Sequence, residues 1–582
     1  MATPAADAAL RAALARLQGA QLVGAINSLG ARADKDAVSA LRRIAQRDDD
    51  FPAAGSALLA LARIGTPEAT ATVRKTLGEG PIELREAAAV AALQVGDDKA
   101  ADGKLITAAL WYDAVRNEAG VPKQARLAAT RGAILARGDA GLPDLLEALR
   151  SGDEDMRAVG LRTIREVQGA GVLPALVAEL ERLPAPTRAQ ALSALADRVD
   201  PGVLSVVERH GRSGELEVRL AAVRALGRVG GATSLPLLLQ ALASRAADER
   251  DAAQRSLAVI RIPEADTTLI HALDASSGEA RVKLIAILGE RNVDAATPAL
   301  LRFARDPDPA LRGAALRALA LVARPGDIDA LIRLSLEGAD EEARLLADRA
   351  IYGAAMKILD PALRAEPLVA ALRATVGAGK RAALLRPLGA VVRAMGGNEA
   401  ARIAVAGALH DSDAGVRTAA VKTLSDWPDA TAVAPLLDYL RAQPPEPQRA
   451  LALSGVVRLA ANVAAGRDKT ALDVGATFRA AHALVRTDPD RMQLVSGLGS
   501  LARPESLELL QPYLALPAVK TEASLAVLQI APTLLRGKDA AATKAALARI
   551  AAEDKDADIR AQADRLLKEG PPQAVKKGKK KA

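Results

Sequence analysis

Between residues 126 and 338 apolar and polar positions recur with a period of 31 residues, marked by Arg126, Arg157, Arg188, Arg219, Arg250, Arg281 and Arg312. Three positions after each arginine the residue is small (Ala129, Gly160, Ala191, Ala222, Ala253, Ala315), with Leu284 as the exception. Seven positions after it the residue is aliphatic (Ile164, Leu195, Leu226, Leu257, Leu288, Leu319), with Ala133 the weak member. Positions spaced three, four and seven apart share one face of an α-helix, so each arginine opens a helix that buries one stripe. Gly138, Gly169 and Gly231 follow at a fixed distance and predict helix stops, because glycine accepts the left-handed conformation at a helix end. The piece Gly227 to Gly231 reads the same way. A further helix then begins with proline at one phase (Pro143, Pro174, Pro236, Pro298), where a missing N–H costs nothing. Leu145 and Leu149, Leu176 and Leu180, and Leu238 and Leu242 are its buried stripe. The unit is a hairpin of one proline helix and one arginine helix.

Such a hairpin cannot cover its own apolar face, and stacking like units does. The pattern therefore predicts an all-α chain, a right-handed α-α superhelix of about sixteen to eighteen hairpins, continuous over residues 1–569. Acids four residues ahead of the arginine (Asp153, Glu215, Asp308, Asp413) predict N-caps that also pair with Arg157, Arg219, Arg312 and Arg417 one turn on. The arginines themselves read as ties between hairpins, not as catalytic groups.

Away from 126–338 the period stretches. Residues 4–30 form a first hairpin ending at Gly30, although the opening segment alone reads as half of a repeat and suggests that something precedes it. The spacing from Arg85 to Arg126 is 41 residues, and the excess falls in 97–120, which carries Trp111 and Tyr112. That adjacent pair is either an aromatic contact for a partner or filler for the gap left by a longer helix. From Arg312 the steps to Arg344, Arg381, Arg417 and Arg449 are 32, 37, 36 and 32 residues, which predicts longer helices over 340–400, and 458–490 departs again. Residues 503–569 give two more hairpins, and 570–582 form a lysine-rich tail that is disordered by composition.

Two stretches, LPDLLEALRSGDEDMRAVGLRTI (142–164) and SLPLLLQALASRAADERDAAQRSLAVI (234–260), resemble HEAT repeats of the short bacterial type, the group that includes repeats found in phycobilin lyases. The resemblance extends over nearly the whole chain. It implies the superhelix already predicted and a role as an adaptor or scaffold surface, since most such proteins bind other proteins. It also implies that the arginine helices line the inner curve.

Composition narrows the chemistry. The chain has 582 residues and no cysteine, so disulfides, thiolate metal sites and cysteine nucleophiles are excluded, and the redox compartment is not readable. No apolar run approaches the roughly 18 residues of a membrane helix. The compartment stays open between a cytoplasmic protein and an exported one whose signal segment is missing from this chain. The formal charge is +8, but Lys576, Lys577, Lys579, Lys580 and Lys581 supply five of those eight charges, so the body is nearly balanced.

His210, His271, His410 and His482 stand far apart and outside any paired His-Glu motif of the kind a HEAT-type lysine hydroxylase needs for its di-iron site. Phosphate-cradling glycine motifs are absent too. We therefore expect no catalytic residues, no metal ligands and no cofactor. One pattern remains: Arg131, Arg162, Arg224, Arg255, Arg317 and Lys422, five positions after the periodic arginine, interrupted by Ser193 and Ala286. On a helical wheel they lie well away from the buried stripe and face water. They are candidate rungs of a basic ladder for a protein partner, or plain solvated arginines on good helix-forming positions. Glu166, Asp197 and Glu290 nearby would offset part of their field, which disfavours nucleic acid as the partner. Nucleic-acid binding through ladder and tail is the alternative function, and by fold analogy a lyase-like pigment or cofactor chaperone is a third.

Overall fold

The computed structural model describes residues 3–198 and 200–570. Among these residues there are thirty-four α-helices, from Pro4–Ala13 to Ala557–Glu569, and no strand. Taken in chain order they pair into seventeen hairpins, within the predicted range. The hairpins fall into two compact units, Met1–Ile287 and Leu288–Ala582. The predicted tail lies outside the described residues except for Gly570. Pro4–Ala13 and Gly19–Ala31 make a complete pair, so the opening is a whole hairpin, not half of one.

The predicted stripes are the core. On the arginine helices Ala129, Ala222, Ala253, Ile164, Leu195, Leu226 and Leu257 are all buried, and so are Leu145, Leu149, Leu238 and Leu242 on the proline helices. Each side chain of this size contributes about 1.5–3 kcal/mol when fully withdrawn from water. Alanine and glycine contribute closeness instead. Gly227 is not a stop: it lies inside Leu216–Val229, where a Cβ would stand 3.0 Å from Ser256 Cα on the next arginine helix. Ser256 Oγ in turn donates to the Val223 carbonyl at 2.7 Å, which ties the two helices across the gap. Gly30, expected at a turn, lies inside Gly19–Ala31 against Ala60. A left-handed stop is found at Gly65, with φ +70° and ψ +10°, whereas Gly138 ends Lys123–Arg137 at φ +57° but ψ −123° and Gly169 lies past the end of Glu154–Ile164. Nor does the left-handed stop hold at Gly231, which is extended at φ −112°, because a short 3-10 turn follows and keeps the chain turning without a left-handed residue.

The capping acids act as predicted in part. Asp153, Asp308 and Asp413 accept from Asp155, Ala310 and Val416 N–H at 2.9, 2.8 and 3.0 Å. The expected pairing with the arginine one turn on does not form, because the arginine points the other way. Arg219 Nη1 donates back to the Ser213 and Gly214 carbonyls at 2.9 and 3.0 Å. Arg157, Arg250, Arg312 and Arg417 repeat the first of these bonds at 2.7, 3.0, 3.0 and 2.7 Å. Those carbonyls lie in the turn just past the C-terminus of the proline helix, where the dipole favours a cation. The remaining guanidinium nitrogens reach an acid of the next hairpin: Arg188 meets Glu215 at 2.8 Å, Arg219 Glu249 at 3.0 Å and Arg250 Glu279 at 3.0 Å. In the second unit Arg312 meets Asp340 at 2.7 Å and Arg381 Asp411 at 2.8 Å.

The stretched regions have plain causes. The excess at 97–120 lengthens one arginine helix to Arg85–Ala101 and adds a long proline-type helix, Leu105–Asn117. Over 340–400 the arginine helices Glu341–Met356 and Ala378–Met395 are 16 and 18 residues long.

Candidate partner-binding surface

The exposed side of the arginine helices carries the predicted rungs. In the first unit Arg162, Arg224 and Arg255 are exposed and Arg131 is half-buried; in the second, Arg317 and Lys422 are exposed. Arg131 is engaged by Glu166 of the following hairpin, and Arg162 stands 3.8 Å from the same carboxylate. Arg224, Arg317 and Lys422 have no ion-pair partner among the described residues. Glu166 therefore offsets two rungs as foreseen, whereas Asp197 is bridged by Arg165 at 2.7 Å and Arg228 at 3.0 Å and engages no rung.

Two rungs were missed by sequence reading. Arg349 and Arg386 stand five positions after Arg344 and Arg381; the same offset, applied where the period slips, would have found them. Arg349 is exposed and unpaired among the described residues. Arg386 is held: its Nε donates to Asp348 at 2.5 Å and its Nη1 pairs with Glu341. Burial pushes the Asp348 carboxyl above its ordinary range, against the pull of Ser335 and Arg386.

Trp111 and Tyr112 are core, at 6% and 4% exposure. As a contact offered to a partner the pair is corrected by its position. The Tyr112 ring is wedged between two arginine helices, since a Cβ on Gly96 or Gly132 would stand 2.8 or 2.6 Å from it. Its hydroxyl donates to Asp97 Oδ1 at 2.7 Å, and burial raises its pKa well above that of a free phenol. The wedge keeps Arg85–Ala101 and Lys123–Arg137 apart, and an open groove of about 610 Å³ results. Leu93, Leu105, Leu135 and Val159 line it, with Asp97, Asp155, Arg131 and Arg162 at its charged positions.

Histidines are scattered: His210 is buried with Nδ1 2.9 Å from the Val206 carbonyl, His271 and His410 are exposed, and His482 Nδ1 lies 2.7 Å from the Tyr513 hydroxyl. Among the described residues no three His, Asp or Glu side chains gather as a metal site would require. No helix there is long and apolar enough to cross a membrane.

A family model described as HEAT repeats matches residues 7–94, 173–258 and 267–351. Solved structures with a similar chain path include Kap121p bound to Nup53p, 12% identical over 97% of this chain and 74% of that one, with a TM-score of 0.38. Yeast importin-beta (Kap95p) is 14% identical, covering 97% of this chain and 88% of that one, with a TM-score of 0.35. Among curated proteins none matches. The chain thus carries HEAT repeats over the three matched stretches, and paired helices continue between and beyond them.

Proposed function

We propose that the protein is a non-enzymatic scaffold that binds a protein partner along the exposed face of its arginine helices. The observation that carries the reading is the set of exposed cations at one phase, Arg162, Arg224, Arg255, Arg317, Arg349 and Lys422, of which Arg224, Arg317, Arg349 and Lys422 have no ion-pair partner among the described residues. Arginine helices approach one another through glycine and alanine, as at Gly30 with Ala60 and Gly227 with Ser256. A row whose members lie closer than those of the opposite row is the inner side of a bend, so this face is read as the concave one in each unit. Unpaired guanidinium groups on such a face suit an acidic segment of another protein.

The test is a cross-linking pull-down from the native organism with the full chain and with Arg162→Glu, Arg224→Glu and Arg317→Glu combined. The combined variant is expected to lose the captured partners with its helical content unchanged. Retention of the same partners would overturn the reading. Binding to duplex DNA that falls steeply with salt and survives deletion of residues 570–582 would establish the nucleic-acid alternative instead.

A further inference from the structure

The chain has nine aromatic residues, and eight of them are buried or half-buried. Tyr352, at 38% exposure, is the exception among the described residues. It lies on the arginine helix Glu341–Met356 in the second unit. Leu345, Arg349 and Tyr352 are spaced four and three apart and are all exposed, so they share one face of that helix. On the neighbouring arginine helix, Pro309–Val322, Arg317 and Leu321 are four apart and exposed as well. The two helices meet closely, since a Cβ on Gly353 would stand 2.4 Å from the Ala320 oxygen. Gly353 follows Tyr352 and Ala320 precedes Leu321 in the chain, so the crossing brings the aromatic and the leucine to the same end of the face.

Resting on the reading of the arginine-helix face as a partner surface, we infer that Arg317, Leu321, Leu345, Arg349 and Tyr352 form its principal docking patch, and that the occupant is an extended acidic peptide segment bearing an aromatic or leucine side chain. Three features of the patch select that chemistry. Arg317 and Arg349 carry no compensating carboxylate among the described residues and stand on adjacent helices. Tyrosine and arginine, exposed together here, are residue types in which protein-binding hot spots are enriched. Exposed Leu321, Leu345 and Tyr352 offer apolar surface that a peptide side chain can cover and a phosphate backbone cannot. Adjacent helices pack about 8–10 Å apart and an extended chain rises about 3.4 Å per residue, so the peptide's acids should be about two to four residues apart.

The probe is an array of random peptides about 12 residues long, enough at about 3.4 Å per residue to cross both helices, incubated with the full-length protein. Retained sequences are expected to combine acids at that spacing with an aromatic or leucine residue. Tyr352→Ala is expected to weaken their retention by about tenfold, in the range of an aromatic hot spot. Arg317→Glu with Arg349→Glu should abolish it, and Arg224→Glu in the first unit should leave it unchanged. Loss from Arg224→Glu with no effect of Tyr352→Ala would overturn the patch while leaving the broader scaffold reading in place. Retained peptides lacking acids would overturn it too, as would binding of single-stranded oligonucleotides, in place of peptides, that depends on Tyr352. Failure of every peptide to bind, alongside intact partner capture that ignores all these substitutions, would sink both readings.

Discussion

At Gly353 a hydrogen atom occupies the place where a methyl group would stand 2.4 Å from the Ala320 carbonyl oxygen. Alanine there must push two arginine helices apart, and overpacking of this kind costs about 1–3 kcal/mol. Alanine ordinarily favours a helix over glycine by about 1 kcal/mol, so the sign depends on what the new methyl meets. Gly24 lies inside Gly19–Ala31 with nothing within 4 Å. Gly353→Ala is therefore expected to lower the urea midpoint and Gly24→Ala to raise it, in parallel denaturation experiments on the full chain. Equal effects of the two would show that the close crossing is not what glycine supplies. This distinction was not legible in the sequence. Spacing places Gly227 near a helix end and suggests a stop, but only the neighbour, Ser256, shows that the glycine serves a contact.

At the scale of the hairpin the periodic arginine joins three things: the end of its own proline helix, the start of its own arginine helix and a carboxylate of the next unit. The sequence disclosed the tie but assigned it to the wrong acid, because a carboxylate four residues away and one about thirty residues away look equally suited until the rotamer is known. Glu249 is nearly buried, and Arg219 and Ser244 both engage it. Burial works against its charge, yet these two partners outweigh it and hold its pKa below the ordinary glutamate value. A carboxylate that binds protons less readily when folded adds stability above its unfolded pKa and loses it as pH falls through the folded one. Asp340 and Asp411 are held low in the same sense, first by the Ala343 and Asp413 N–H groups and then by Arg312 and Arg381. Helical content followed by circular dichroism should thus be steady at neutral pH and collapse below about pH 4, the ordinary carboxylate range. Arg219→Leu leaves the buried Glu249 without its cation, one oxygen losing its donor and Ser244 alone still engaging the other, and the Ser213 and Gly214 carbonyls lose their donor too. It should cost about 1–3 kcal/mol, since an unsatisfied polar group is left behind, and should move the acid transition to higher pH. An unmoved transition would mean that the tie contributes nothing to stability.

At the scale of the whole chain, fold class and hairpin number were legible because a stack repeats one short pattern, and each repetition is an independent reading of the same phase. The patch around Tyr352 was not, since it lies where the period slips from 31 to 32 and then 37 residues, and exposure depends on which neighbour covers a side chain. The same physics sets how damage should spread. A hairpin is held by the walls its neighbours supply, so stability is a sum of unit and nearest-neighbour terms, and local unfolding need not engage the full array. Leu226 is fully buried in the hairpin built from Val203–His210 and Leu216–Val229. Leu226→Ala should cost about 2–5 kcal/mol through lost burial and the cavity left behind. Hydrogen exchange is expected to accelerate most in that hairpin. Val172–Leu195 before it and Leu235–Val259 after it should follow to a smaller extent, while Pro4–Ala31 in the same unit keeps its protection. Uniform loss of protection from Met1 to Ile287 would instead require the unit to open as one block, and the neighbour-by-neighbour account of its stability would fall.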